Sequence, residues 1–120
     1  MPQPNKPLAG LKVIELGTLI AGPFAARICA EFGAQVTKVE SPDGGDPLRK
    51  WRKLYEGTSL WWFVQARNKR SITLNLKHPQ GREVLMKLLA EAVILIENFR
   101  PGILEKLGFG WDVLHALNPR

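Results

Sequence analysis

Cysteine is nearly absent: Cys29 is the only one in 120 residues. That excludes an internal disulfide framework and a cysteine-based metal cluster. Histidine is almost as scarce. His78 and His115 lie far apart, without the spacing of a metal-ligand pair, so no metal is expected. No apolar run approaches the roughly 20 residues that span a bilayer, and no membrane segment is expected. Met1 to Pro7 is polar and proline-rich, lacks the apolar centre of a secretion signal, and reads as a disordered tail. A reducing cytoplasm is the default location.

Two nucleotide-binding fingerprints are also missing. Gly17 and Gly22 have the spacing of a G-x-x-x-x-G-K-[ST] loop, but Pro23 and Phe24 stand where the lysine and hydroxyl should follow. The lysine and magnesium contacts of a P-loop ATPase are therefore excluded. G-x-G-x-x-G is absent as well, because Gly17 is followed by Thr18, Leu19, Ile20 and Ala21. Glu40 sits where a ribose-binding acid of a dinucleotide fold would stand; without the glycines it reads as a strand-end surface carboxylate.

Charge is plentiful and unevenly placed. Between Leu48 and Arg70 lie seven bases (Arg49, Lys50, Arg52, Lys53, Arg67, Lys69 and Arg70) against one acid, Glu56. This segment accounts for the whole net charge of +6, and the rest of the chain cancels. Such a stretch attracts anions, or it is a solvated loop. With Trp51, Trp61 and Trp62 beside it, it also suggests a nucleic-acid-binding module, since aromatics next to cations suit single strands. No recognised nucleic-acid signature accompanies it, and the preferred reading has no nucleic-acid partner.

Periodicity predicts an alternating α/β pattern. Lys12 to Leu16 is a short β-branched run that ends at Gly17, the mark of a buried strand. Pro23 suits the first turn of a helix, Phe24, Ala25, Ile28 and Phe32 follow at helical spacing, and Gly33 is a stop. Gln35 to Glu40 is a second strand, which completes a βαβ unit with parallel strands. Ser41 to Tyr55 reads as a turn-rich loop. Ser71 to Leu76 alternates as a third strand, and Pro79 opens a helix with an apolar stripe of Val84, Leu85, Leu88, Leu89 and Ala92. Val93 to Glu97 is so apolar that both its faces should be covered. Pro101 starts a helix through about Leu107, and a last short helix has Asp112 near its start, as its cap. The fold class is α/β, a Rossmann-like, doubly wound, mostly parallel sheet. The pattern stops at Asn118-Pro119-Arg120 where a strand should begin, so the chain is expected to be a truncated part of a longer fold.

In such a sheet, ligands bind beyond the carboxyl ends of the strands. Those ends are Gly17 to Gly22, Glu40 to Gly45, Asn75 to Lys77 and Asn98 to Gly102. All carry small or polar residues, and Gly22 and Ala21 would let a ligand approach the backbone closely. The helix starts at Pro23 and Pro101 would offer N–H groups to an anion.

The stretches "LAGLKVIELG", "AGPFAARICAEFGAQVTKVE", "NKRSITLNLK", "GREVLMKLLAEAVILIENFRPG" and "LEKLGFGWDVLHALNPR", in register over nearly all of residues 8–120, resemble the N-terminal part of the class III CoA-transferase family (CaiB/BaiF type). That family holds formyl-CoA and carnitine-pathway CoA-transferases and the 2-methylacyl-CoA racemases. The resemblance implies a Rossmann-like domain over 8–120, with coenzyme A or acyl-CoA and a carboxylic acid as substrates, and an interlocked homodimer. It implies that Ile20 and Ala21 line the adenosine side, and that Leu74, Asn75, Lys77, Asn98, Phe99 and Arg100 face the nucleotide and its phosphates. Lys106 stands where several members place a phosphate-contacting arginine, keeping the charge without the bidentate fork. Ser41 replaces an arginine of some members. Phe99 also reads as core, and Lys77 and Arg100 as solvated charges; Arg67, Lys69 and Arg70 read equally as phosphate ligands or as loop and dimer anchors. The resemblance places the family's catalytic aspartate beyond Arg120, and Asp43, Asp46 and Asp112 do not match its position. No catalytic residue is therefore assigned, and the chain alone is expected to be inactive. Transferase and racemase are not separated by these residues.

Overall fold

Strand β1 (Lys12–Glu15) forms from the first β-branched run and takes the centre of a four-stranded sheet. Helix α1 (Ala21–Glu31) follows, then β2 (Gln35–Glu40), the two strands pairing in parallel with Val13 opposite Val36 and Glu15 opposite Lys38. Pro23 lies in the first turn of α1, where its missing N–H has no intrahelical partner to lose. Gly33, at φ +105°, supplies the left-handed residue that ends the helix. The computed structural model describes residues 5–120; residues 1–4, part of the expected disordered tail, lie outside the described residues.

The segment after β2 holds more structure than a loop. Pro47–Lys50 is a 3-10 turn, β3 (Leu54–Tyr55) and β4 (Thr58–Ser59) form an antiparallel hairpin, and α2 is Leu60–Gln65. The hairpin hides in the sequence because two-residue strands carry no readable period. Strand β5 (Lys69–Thr73) pairs with β2, two residues earlier than the predicted Ser71 start. The strand ends at Thr73; the Leu74 N–H still donates to the Glu40 carbonyl at 3.0 Å, and Asn75 to Lys77 leave the sheet. Helix α3 (Pro79–Glu91) begins on its proline, with the His78 ring nitrogen accepting the Gln80 N–H at 3.2 Å. Then come β6 (Ile94–Ile96), α4 (Ile103–Lys106) and α5 (Trp111–Leu117). The last helix is preceded by Gly110 without a side-chain cap, so Asp112 sits in its first turn but does not cap it.

The sheet order is β5-β2-β1-β6, all parallel. Counted along the chain this is 3-2-1-4, the beginning of the doubly wound nucleotide-binding order. The direction of winding reverses between β1 and β6, and each face carries its own core. On one, Val13 and Val36 pack with Ala26, Ala30 and Ala34; on the other, Ile14, Leu16 and Val39 pack with Leu85, Leu89, Ala92 and Phe109.

Two expectations about packing are corrected. The stripe that reveals α1 in the sequence is not the face it buries: Gly22, Pro23, Ala26 and Ala30 meet the sheet, whereas Phe24, Ile28 and Phe32 are exposed. Small residues win because they bring the helix axis close to the strands. Strand β6 is not covered on both faces. It is an edge strand, and Val93 and Ile94 are more than a third exposed.

Candidate functional site

Period-2 alternation sends Glu15, Lys38, Glu40, Lys69 and Ser71 to the α1 face of the sheet, with Glu15 and Glu40 at the carboxyl ends of their strands and Lys69 at the start of β5. Register then brings Glu15 beside Lys38, and Lys38 beside Ser71. Lys38 is 1% exposed. Its ammonium donates to Glu15 Oε1 at 2.9 Å and to the Gly17 carbonyl at 2.9 Å, and meets Asp46 Oδ2 at 2.8 Å. Lys69 Nζ closes the group, 2.8 Å from Glu15 Oε2 and donating to the Pro23 carbonyl at 2.8 Å. Burial pulls the Lys69 ammonium below its ordinary range, and the Glu15 carboxylate offsets part of that.

Glu40 forms a second buried cluster. The Arg49 guanidinium donates to both its oxygens, at 2.8 and 2.6 Å, and the Asp46 N–H and Ser71 hydroxyl add their own bonds. Burial alone would raise this carboxyl; the hydrogen bonds from Arg49, Asp46 and Ser71 outweigh it and hold the pKa at about 2. Glu40 is thus no surface carboxylate, being 5% exposed. The reading of Lys69 as a phosphate ligand is also corrected, since its ammonium is buried against Glu15. Neither cluster was found from the sequence. The available signal was the presence of charged residues inside short strand-like runs: Glu15 in "KVIEL", Lys38 and Glu40 at alternate positions in "QVTKVE", and Lys69 in "KRSIT".

The opening turn has a packing role. A Cβ on Gly22 would lie 2.7 Å from the Gly17 Cα, and the reverse holds for Gly17. Gly22 is buried. Its lack of a side chain therefore admits Gly17 and not a ligand, which corrects the expectation for this residue. Asn98 locks the same place: its carbonyl oxygen accepts the Thr18 N–H at 2.8 Å and its amide donates to the Thr18 carbonyl at 3.0 Å. The loops after β1 and β6 are thereby joined at the point where the winding reverses.

Over the carboxyl ends of β1, β2 and β5 lies a cleft of about 440 Å³. Its apolar wall includes Leu16, Val39, Leu74, Leu76, Phe99 and Ile103; its polar lining includes Thr18, Ser41, Asp43, Asn75 and Lys77, with the buried Lys38, Glu40 and Asp46 at its base. Of the residues singled out in the sequence, Leu74, Asn75, Lys77 and Phe99 line it together. Ile20, Ala21, Asn98, Arg100 and Lys106 are not in its lining. Ile20 and Ala21 lie at the start of α1, Asn98 and Arg100 flank Phe99, and Lys106 is exposed on α4. Two other depressions, of about 410 and 590 Å³, lie along the outer edge of β6 and at the opposite ends of the strands. Among the described residues, no group of three His, Cys, Asp or Glu side chains is placed to share a metal ion. No helix among them is long and apolar enough to cross a membrane.

The basic segment is partly spent inside the molecule. Arg49 pairs with Glu40 and stacks 3.8 Å over the Trp62 ring, Lys50 donates to the Gly57 carbonyl, and Lys69 is buried. Arg52 stacks at 4.3 Å over Trp51, itself 6.1 Å from Trp61. These cations are engaged in contacts within the chain, which weakens the nucleic-acid alternative.

Comparison with known proteins agrees with this architecture. The family model for CoA-transferase family III matches residues 8–120. The chain is 51% identical over 118 residues to the succinyl-CoA–D-citramalate CoA-transferase of Chloroflexus aurantiacus, covering 98% of this chain and 29% of that protein. It is 55% identical over 115 residues to the beta subunit of that organism's succinyl-CoA–L-malate CoA-transferase, covering 95% and 28%. The solved structure of a CaiB/BaiF family protein from Brucella suis superposes with a TM-score of 0.87 at 42% identity, over 95% of this chain and 31% of the other. The chain thus spans less than a third of the length of these relatives. With the family model matching nearly its whole length, this chain belongs to CoA-transferase family III.

Proposed function

We propose that this chain is the CoA-binding part of an acyl-CoA:carboxylate CoA-transferase, and that the cleft over β1, β2 and β5 takes the nucleotide end of CoA. The observation that carries the reading is the coincidence of two facts. The family match runs through all the strand-end loops, and four residues singled out from the sequence line one cleft there. The chemistry is consistent. Leu74, Leu76, Phe99 and Ile103 offer an apolar wall for a flat base, and Lys77 stands at the rim to meet phosphate. Arg100 and Lys106, both exposed, add positive charge nearby for the pyrophosphate and 3′-phosphate.

The reaction proposed for the whole protein is covalent. An aspartate carboxylate attacks the thioester carbonyl, expelling CoA thiolate and forming a mixed anhydride. The thiolate then attacks the aspartyl carbon and releases the donor acid, leaving an aspartyl-CoA thioester. The acceptor carboxylate reverses the sequence, carries CoA away and regenerates the aspartate. Within this chain the aspartates have other work: Asp46 is ion-paired with Lys38, Asp43 lies in an exposed turn, and Asp112 opens α5. We therefore assign CoA binding to residues 8–120 and the nucleophile to a segment outside them. The interlocked homodimer belongs to the same proposal for the whole protein.

Calorimetric titration of the 120-residue chain with CoA tests the reading. Saturable binding is expected, weakened about ten- to a hundredfold by Lys77→Ala, as for loss of one charged hydrogen bond. Binding of an oligonucleotide with no response to CoA would overturn it.

A further inference from the structure

The buried charges beside the cleft serve no evident purpose in stability alone. Glu15, Lys38, Asp46 and Lys69 sum to zero charge, and none of their side chains is more than 2% exposed. Apolar residues of similar volume often fill such a space at no loss of stability. What an apolar core does not do is fix two backbone segments that share no strand pairing. Asp46 does this with both oxygens. Oδ2 meets Lys38 at 2.8 Å, while Oδ1 accepts the Leu48 N–H of its own loop at 2.9 Å and the Leu19 N–H of the β1–α1 turn at 3.0 Å. Lys38 holds the other end of that turn through the Gly17 carbonyl. Leu19 itself sits at φ +60°, a left-handed conformation that leucine seldom adopts unless held there.

We propose that Asp46 is a positioning residue for the ligand cleft: its carboxylate sets the spacing between the β1–α1 turn and the loop after β2, two of the cleft's walls. The assignment rests on the CoA reading above. It adds that affinity depends on a group acting on the walls rather than on the ligand: Asp46 and Lys38 border the cleft, but their side chains are only 1% and 2% exposed and are engaged with each other. Thr18 from the turn and Ser41, Pro42 and Asp43 from the loop line the cleft on either side of this tie.

The test compares two charge-balanced chains, Lys38→Met/Asp46→Asn and Lys38→Met/Asp46→Ala. Both leave the Glu15–Lys69 pair intact, and they differ in whether an acceptor remains for the Leu19 and Leu48 N–H groups. CoA affinity and amide hydrogen exchange are measured on both. The Asp46→Ala member is expected to bind CoA at least tenfold more weakly than the Asp46→Asn member. Its Leu19 amide is expected to exchange at least tenfold faster, while amides of the β1–β2 ladder exchange alike. A purely structural role would move the ladder amides together with Leu19, and that result overturns the proposal. Equal exchange at Leu19 overturns it too, as does faster exchange with equal affinity. If no chain, including the unsubstituted one, binds CoA while Leu19 exchange still differs, the CoA reading fails and the tie between the walls is upheld. If the Lys38→Met background does not fold, Asp46→Asn and Asp46→Ala are compared without it, by the same two readouts.

Discussion

Glu40 carries the clearest consequence at the scale of single residues. Its carboxyl titrates at about 2 in the folded chain, against an unfolded value near 4.5. A depressed folded pKa means that the stabilisation is present above the unfolded value and is lost as pH falls toward the folded one. The contribution is on the order of 3 kcal/mol above pH 5, disappearing between about pH 5 and 2. Urea midpoints recorded across that range on the unsubstituted chain and on Glu40→Gln give the check. The unsubstituted chain should lose stability steeply on acidification and Glu40→Gln much less, whereas parallel curves would contradict the assignment. Removing Lys38 alone has a different character: Lys38→Met leaves Glu15 paired with Lys69 but takes away the ion-pair partner of the buried Asp46, and a loss of about 3–5 kcal/mol is expected. Neither cluster was legible from composition, because a charged residue at a strand end reads as surface until its neighbouring strands are placed. Glu15 and Lys38 become partners only through the register that sets them side by side.

Among the elements, β2 was legible to the residue, since "QVTKVE" is a short β-branched run bounded by Gly33 and a turn. Helix α3 was equally clear, marked by Pro79 and a stripe that does face the core at Leu85 and Leu89. Strand β5 was misplaced because "SITLNL" keeps alternating after the backbone has left the sheet. The hairpin was missed because two-residue strands carry no period, and α2 because contacts such as Arg49 over the Trp62 ring have no sequence signature. The divergence of Asn75 to Lys77 matters for function, for it turns the end of a would-be strand into a cleft wall. Gly81, in the first turn of α3, supports that wall: a Cβ there would lie 2.0 Å from the Asn75 carbonyl oxygen. Helix propensity alone favours Ala over Gly by about 1 kcal/mol. Contact with backbone cannot be relieved by a side-chain rotation, and overpacking of about 1–3 kcal/mol wins. Gly81→Ala is therefore expected to lower the urea midpoint and to weaken CoA binding through displacement of Asn75. A stabilised variant with unchanged binding would contradict this account of the wall.

At the scale of the whole molecule, each sheet face has a core, yet the outer face of α1 and much of α2 remain apolar and in solvent. Phe24 and Phe32 are about half exposed, Phe63 is 51% exposed, and Trp111 on α5 reaches 75%. Isolated apolar residues on a surface need no explanation, but helical stripes of this kind promote association. Sedimentation of the 120-residue chain is expected to show concentration-dependent self-association, reduced in Phe24→Gln/Phe63→Gln with the circular dichroism unchanged. An unsubstituted chain that stays monomeric at high concentration would show that these side chains are harmless in water. Both the winding order and the cleft follow from the same topology, since the strands present their carboxyl ends side by side and the loops leaving them gather there. The measurement that bears most directly on this is chemical-shift mapping of the isotopically labelled chain during titration with CoA. Saturable shifts centred on Thr18, Ser41, Asn75 to Lys77 and Phe99 are predicted. Shifts confined to the hairpin and α2, or none at saturating CoA, would contradict the claim that the strand-end cleft is the CoA site.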